Sequence, residues 1–155
     1  MARLSARPSE LPLDEALDFL RALWRIEHGL QSASKRMEIK LGLTGPQRLV
    51  LRILREHPGL TAADLSSVVR LHASTLTGIL QRLERKALVS RHRDPQDNRR
   101  VRLQVAPKAR KLASQRKGTV EAAVEDALLR QSPADVEAAH RVLSAIALTL
   151  EVSEA

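Results

Sequence analysis

A mainly α-helical chain with one small β-hairpin is what the sequence predicts, and three observations predict it. Apolar residues recur at helical spacing over most of the 155 residues. Strict alternation replaces that spacing only from Arg100 to Val105, and the turn-forming run Asp94-Pro95-Gln96-Asp97-Asn98 lies just upstream. The first helix begins at Leu13, carries Leu17, Leu20, Leu23, Trp24, Leu30, Ala33, Met37 and Leu41 on its apolar stripe, and ends near Gly42. Thr44 caps a second helix with Pro46 in its first turn and Leu49, Val50, Ile53 and Leu54 as its apolar marks, and Pro58-Gly59 stops it. Thr61 and Asp64 open a third helix of about two turns, in which Leu65, Val68 and Val69 form the buried stripe. The fourth, Ser74 to Lys86, buries Leu76, Ile79, Leu80 and Leu83 and turns Thr75, Thr77, Gly78, Gln81, Arg82 and Arg85 outward. Val89, Arg91 and Arg93 make one strand of the hairpin, while Val101, Leu103 and Val105 make one face of the other. Pro107 then opens a long helix from Lys108 to Arg130, and Ser132-Pro133 separates it from a last helix, Ala134 to Leu150. Residues 1–12 read as a flexible N-terminus.

Composition removes several classes of function. The chain is 43% hydrophobic and 28% charged and has no cysteine, so it offers no disulfide framework, cysteine zinc site, thiol nucleophile or thiol sensor. Its apolar runs are far shorter than a bilayer requires, and Glu10, Asp14, Glu15 and Asp18 stand where a signal peptide would be apolar. A cytoplasmic protein without a membrane span is expected. His28, His57, His72, His92 and His140 are scattered, and no nucleophile-elbow, phosphate-loop or paired-histidine metal motif occurs. Glu137 and His140 share a helix face, but without a third converging ligand they read as a surface pair. No enzyme, cofactor or metal site is expected.

Charge points to a partner. The net charge is +8, yet residues 44–110 hold 14 basic and 5 acidic side chains, and the two flanks together are close to neutral. Arginine outnumbers lysine 20 to 6; codon bias in a GC-rich genome would give that ratio, but it would not spare the flanks. Two short helices, a third with a small polar outer face and an arginine-rich hairpin make a winged helix-turn-helix. A helix that approaches base edges needs short side chains and a few hydrogen-bonding groups, and Ser74, Thr75, Thr77, Gly78 and Gln81 are of those types. The expected DNA-binding set is His72, Ser74, Thr75, Thr77, Gln81, Arg82, Arg91, Arg93, Asn98, Arg99 and Arg100. Taken singly, an exposed polar helix face or a turn arginine is ordinary solvated surface; their order along one basic segment argues otherwise. A winged helix serving protein contact or RNA is the alternative. Against RNA, the only aromatic residues, Phe19 and Trp24, lie in the first helix, away from the basic segment.

Leu43-Thr44-x-x-Gln47, Thr61-x-x-Asp64-Leu65, Ser74-Thr75-Leu76-Thr77, Arg82-Leu83-Glu84-x-x-x-Leu88-Val89-x-Arg91 and Asp94-Pro95-x-Asp97-x-Arg99-Arg100 resemble the MarR family of bacterial transcriptional regulators. The resemblance covers about residues 13–150, and the wing stretch is its most specific part. It implies a homodimer in which residues 13–42 and 107–155 interlock and residues 43–106 form the DNA-binding lobe. It also implies that Asp97 braces the wing, that Arg99 enters the minor groove, and that the chain regulates transcription from a pseudo-palindromic operator, with repression the expected sense and activation the alternative. Where such proteins usually show Leu-Thr-x-x-Gly after the wing, this chain has Val105-Ala106-Pro107-Lys108-Ala109, a changed entry into the next helix. Trp24 and His28, one turn apart, fall on the helix that in such folds overlies the gap where relatives bind small aromatic acids. They are candidate contacts for a small aromatic or anionic effector; the plainer account makes Trp24 a core residue with His28 as its polar neighbour.

Overall fold

The computed structural model describes residues 13–152, so the reading of residues 1–12 as a flexible terminus lies outside the described residues. The order is α1 (Glu15–Leu41), α2 (Gly45–Glu56), α3 (Ala62–Val69), α4 (Ala73–Arg85), β1 (Val89–Arg93), β2 (Val101–Val105), α5 (Ala109–Ser114), α6 (Val120–Leu128) and α7 (Pro133–Val152). Local chemistry sets the boundaries. The Asp14 carboxylate accepts from Leu17 N–H, and Gly42 closes α1 in the left-handed conformation at φ 69° while its N–H donates to Glu38 O. Thr44 with Gln47 and Thr61 with Asp64 form reciprocal capping boxes that open α2 and α3.

Around α2 the helices and the hairpin close a core of Leu43, Val50, Leu51, Leu54, Leu65, Leu76, Leu80, Leu83 and Leu103, each 2% exposed or less. β1 and β2 pair antiparallel with Val89 opposite Val105 and Arg93 opposite Val101. The turn before α3 docks on β2, because Leu103 N–H donates to Leu60 O at 2.8 Å and Gly59 N–H donates to Leu103 O at 3.3 Å. The wing is thereby tied to the helix-turn-helix from both sides.

The structure differs from the sequence reading in two elements. The single helix expected from Lys108 to Arg130 is two, α5 and α6. Gly118 takes φ +77°, open to glycine, and Thr119 caps α6 by accepting from Ala122 N–H. Local capping outweighed a weak apolar period that has no mark between Leu112 and Val120 in the stripe. Val68, expected in the buried stripe of α3, is 54% exposed. An eight-residue helix has room to bury Leu65 fully and Val69 partly, and Val68 turns outward.

The long helices are the reverse of the core. Met37 is the only buried residue of α1, and α7 has none. Leu148, Leu150 and Val152 are each more than 60% exposed. Among the described residues no helix is long and apolar enough to cross a membrane.

Candidate nucleic-acid interface

α4 buries Leu76, Ile79, Leu80 and Leu83, which leaves Ser74, Thr75, Thr77, Gln81, Arg82 and Arg85 on the exposed face. His72 stands at the N-cap without capping through its side chain, so its ring is uncommitted there. The Thr77 hydroxyl donates to Ala73 O at 2.7 Å, which leaves its oxygen able to accept. A Cβ built on Gly78 meets nothing within 4 Å. No neighbour in the chain requires glycine there; what glycine does is keep the outer surface of α4 low.

The hairpin supplies the second half of the surface. Asp94 is 3% exposed; one carboxylate oxygen accepts from Gln96 N–H at 2.9 Å and the other from Arg102 Nε at 2.7 Å. The Gln96 and Arg102 bonds hold its carboxyl below the usual carboxylate range. Arg102 Nη1 also donates to Gly59 O at 3.1 Å, which links the wing to the turn before α3. At the tip, Asp97 Oδ1 accepts from Arg99 N–H at 3.0 Å, and Asp97 O accepts from Arg100 N–H at 2.9 Å. Arg93, Asn98, Arg99 and Arg100 are exposed, and none of the three arginines forms an ion pair among the described residues. Arg91 differs: its Nε donates to Glu84 Oε1 at 2.6 Å, joining β1 to α4. The structure therefore brings the expected α4 residues and wing-tip arginines onto one lobe, with Arg91 already paired inside it.

Two devices were not singled out from the sequence. In the sequence Asp94 reads as a turn former, although an aspartate opening a turn eight residues before an arginine on the paired strand is a detectable signal. Arg48, 1% exposed on α2, carries no sequence signal beyond an arginine at a core-facing position.

A separate cavity of about 1640 Å³ opens between α1, α2, α6 and α7. Leu30, Leu49, Ile53, Val120 and Val124 form much of its apolar wall, with Arg52, Glu121, Glu137 and His140 among its polar groups. Trp24 and His28, placed at this gap by the sequence reading, do not line it. Trp24 is 62% exposed, so in the single chain it is not a core residue either. The 27-residue α1 is about 40 Å long, and it is the part near Met37 that packs on the lobe. Among the described residues no group of three metal-ligating side chains converges.

A winged helix-turn-helix lobe carried on long, largely unburied flanking helices is the class this architecture defines. The model of the MarR family matches residues 43–101. The chain is 31% identical over 125 residues to the HTH-type regulator YfiV of Bacillus subtilis, covering 79% of this chain and 76% of that one. It is 35% identical over 108 residues to the HTH-type transcriptional regulator TtmR of Methylorubrum extorquens, covering 70% of this chain but only about half, 54%, of that relative's length. Among solved structures, the fold is similar to Staphylococcus aureus MepR in its DNA complex, with TM-score 0.71, 22% identity and coverage of 85% and 97%. It is also similar to Streptomyces coelicolor PcaV with its natural ligand, with TM-score 0.69, 23% identity and coverage of 88% and 96%. The chain belongs to the MarR family.

Proposed function

We propose that this protein is a transcriptional regulator that binds double-stranded DNA as a homodimer on a pseudo-palindromic operator, most simply as a repressor. The observation that carries the reading is the pairing on one lobe of a low, polar α4 face with unpaired wing-tip arginines. Ser74, Thr75, Thr77 and Gln81 face base edges in the major groove; His72, Arg82, Arg93 and Asn98 meet the backbone; Arg99 and Arg100 reach the adjacent minor groove. Arg91, held to Glu84 through Nε, joins them with its Nη donors. Residues 43–106 serve as the DNA-binding lobe, and residues 13–42 and 107–155 as the dimer region.

A small aromatic or anionic effector would release the operator by favouring a lobe separation that mismatches successive grooves. The cavity between α1, α2, α6 and α7 supports this reading by its apolar wall; its arginines, Arg52, Arg116 and Arg141, are each paired with a glutamate. Trp24 and His28 belong to the proposal only as groups a second chain would bring to that gap.

Selection from a random duplex library tests the whole reading. The expected result is an inverted repeat with half-sites about 10 bp apart, whose affinity falls linearly in log salt with a slope reflecting several phosphates. Retention of no duplex at low salt overturns it in favour of a protein-contact wing, and preferential retention of single-stranded RNA in favour of an RNA module.

A further inference from the structure

Among the described residues the buried charged side chains are Arg48, at 1% exposure, and Asp94, at 3%; Arg48 lies where α2 meets the turn between α5 and α6. Burying a guanidinium is costly unless its donors are matched, and here the acceptors all come from one place. Nε donates to Glu121 Oε1 on α6 at 2.6 Å. Nη1 donates to Leu112 O, and Nη2 donates to Gln115 O and lies 3.5 Å from Ala113 O. Those carbonyls sit at the C-terminal end of α5, where a helix leaves acceptors without partners of its own. Arg55, on the same face of α2, adds a second tie by donating to Ala113 O at 3.2 Å.

Filling the volume does not require a charge, because an apolar side chain of similar size packs such a site at least as well. What the planar fork adds is direction: several charge-assisted bonds fix α2 against both arms of the α5–α6 elbow at once. The other contact of the lobe with the long helices is made by α1, where Met37 is buried and Gly45 N–H donates to Ser34 Oγ at 2.7 Å; α7 buries nothing in the chain. We infer that Arg48 is a positioning residue that sets the angle between the helix-turn-helix lobe and α6, and through it the separation of the two recognition helices on DNA. The inference rests on the DNA-binding reading above for its consequence, though not for its geometry.

The geometry is testable without DNA. The chain has no cysteine, so spin labels at Ser67→Cys on α3 and Asp126→Cys on α6, both exposed positions, report the lobe-to-helix distance. Labelled chain diluted into excess unlabelled chain gives the intrachain distance alone. Native Arg48 is expected to give one narrow distance. Arg48→Met should broaden it with helix content unchanged, and Arg48→Lys should not restore it, since an ammonium lacks the fork. An unchanged distribution in Arg48→Met overturns the inference. Should Arg48→Met fail to fold, Glu121→Ala, which removes the α6 acceptor, decides: broadening supports the assignment, and a native distribution overturns it.

The second arm uses the selected operator with its half-site spacing lengthened by one base pair. Native protein should discriminate against it, and Arg48→Met should lose about tenfold of that discrimination; equal discrimination overturns the role on DNA. If native protein binds no duplex, the functional reading fails while the distance measurement still judges Arg48.

Discussion

Gln81 and Arg99 stand for the two kinds of contact that single residues make on this surface. Gln81 presents an amide from the exposed face of α4, a group able to pair bidentately with adenine. Gln81→Ala should therefore relax preference at one base position by about 1–3 kcal/mol. Arg99 projects from a turn whose backbone is held by the Asp97 carboxylate, and on the proposed reading it meets groove width and phosphate. Arg99→Ala should weaken all sequences alike and reduce the salt slope by about one. Affinities of both variants across a panel of single-base operator changes check this, and a flat profile difference for Gln81→Ala would remove it from the specificity set. Asp94 carries a pH dependence. Its folded carboxyl titrates below the ordinary 3.8, so the stabilisation is fully present above that value and is lost as pH falls through the folded one. The amide of Asp94, which donates to Arg100 O, should lose exchange protection in that acid window. Asp94→Asn should show no such transition.

At the scale of elements, α4 is built to be approached. Gly78 lies mid-helix with open space where a side chain would stand. Replacing it by Ala should raise stability by about 0.5–1 kcal/mol, since glycine there costs backbone entropy. Gly78→Leu should fold equally well yet lose operator affinity, because the longer side chain holds the helix away from the groove. Thermal melts beside binding isotherms separate the two effects, and undiminished affinity in Gly78→Leu would move the DNA face elsewhere. The limits of α1 to α4 and the hairpin were legible in the sequence because caps, prolines and period agree there: Thr44, Thr61, Pro58-Gly59 and the alternation to Val105 all announce themselves. The α5–α6 break was not, because Gly118-Thr119 competes with a weak apolar stripe and the elbow is secured by a residue 70 positions upstream. The site was legible as residue types; the Asp94–Arg102 and Arg48–Glu121 pairs that hold it in shape depend on contacts between distant segments, which no local pattern encodes.

For the whole molecule, the long helices are the proposed site of assembly. Leu17, Phe19, Leu20, Trp24, Val142, Leu148 and Leu150 are exposed in the single chain, an apolar extent beyond what a monomer usually shows. Removing residues 134–155 should abolish the dimer and, with it, tight operator binding. Sedimentation of the truncated chain checks this, and a monomer with native helix content and native DNA affinity would refute the assignment of these helices to the interface.

The solitary state of α7 has a further consequence in mass action. A 20-residue helix with nothing buried lacks the tertiary packing that supplies most helical stability, so on the proposed dimer reading its order comes from a second copy. Folding and association then become one equilibrium, and the melting temperature should rise with the logarithm of protein concentration. Below the dimer dissociation constant, freshly made chains would expose a frayed terminus to proteolysis; above it, each new chain protects another. Such a protein registers its own abundance as a threshold, independently of any ligand.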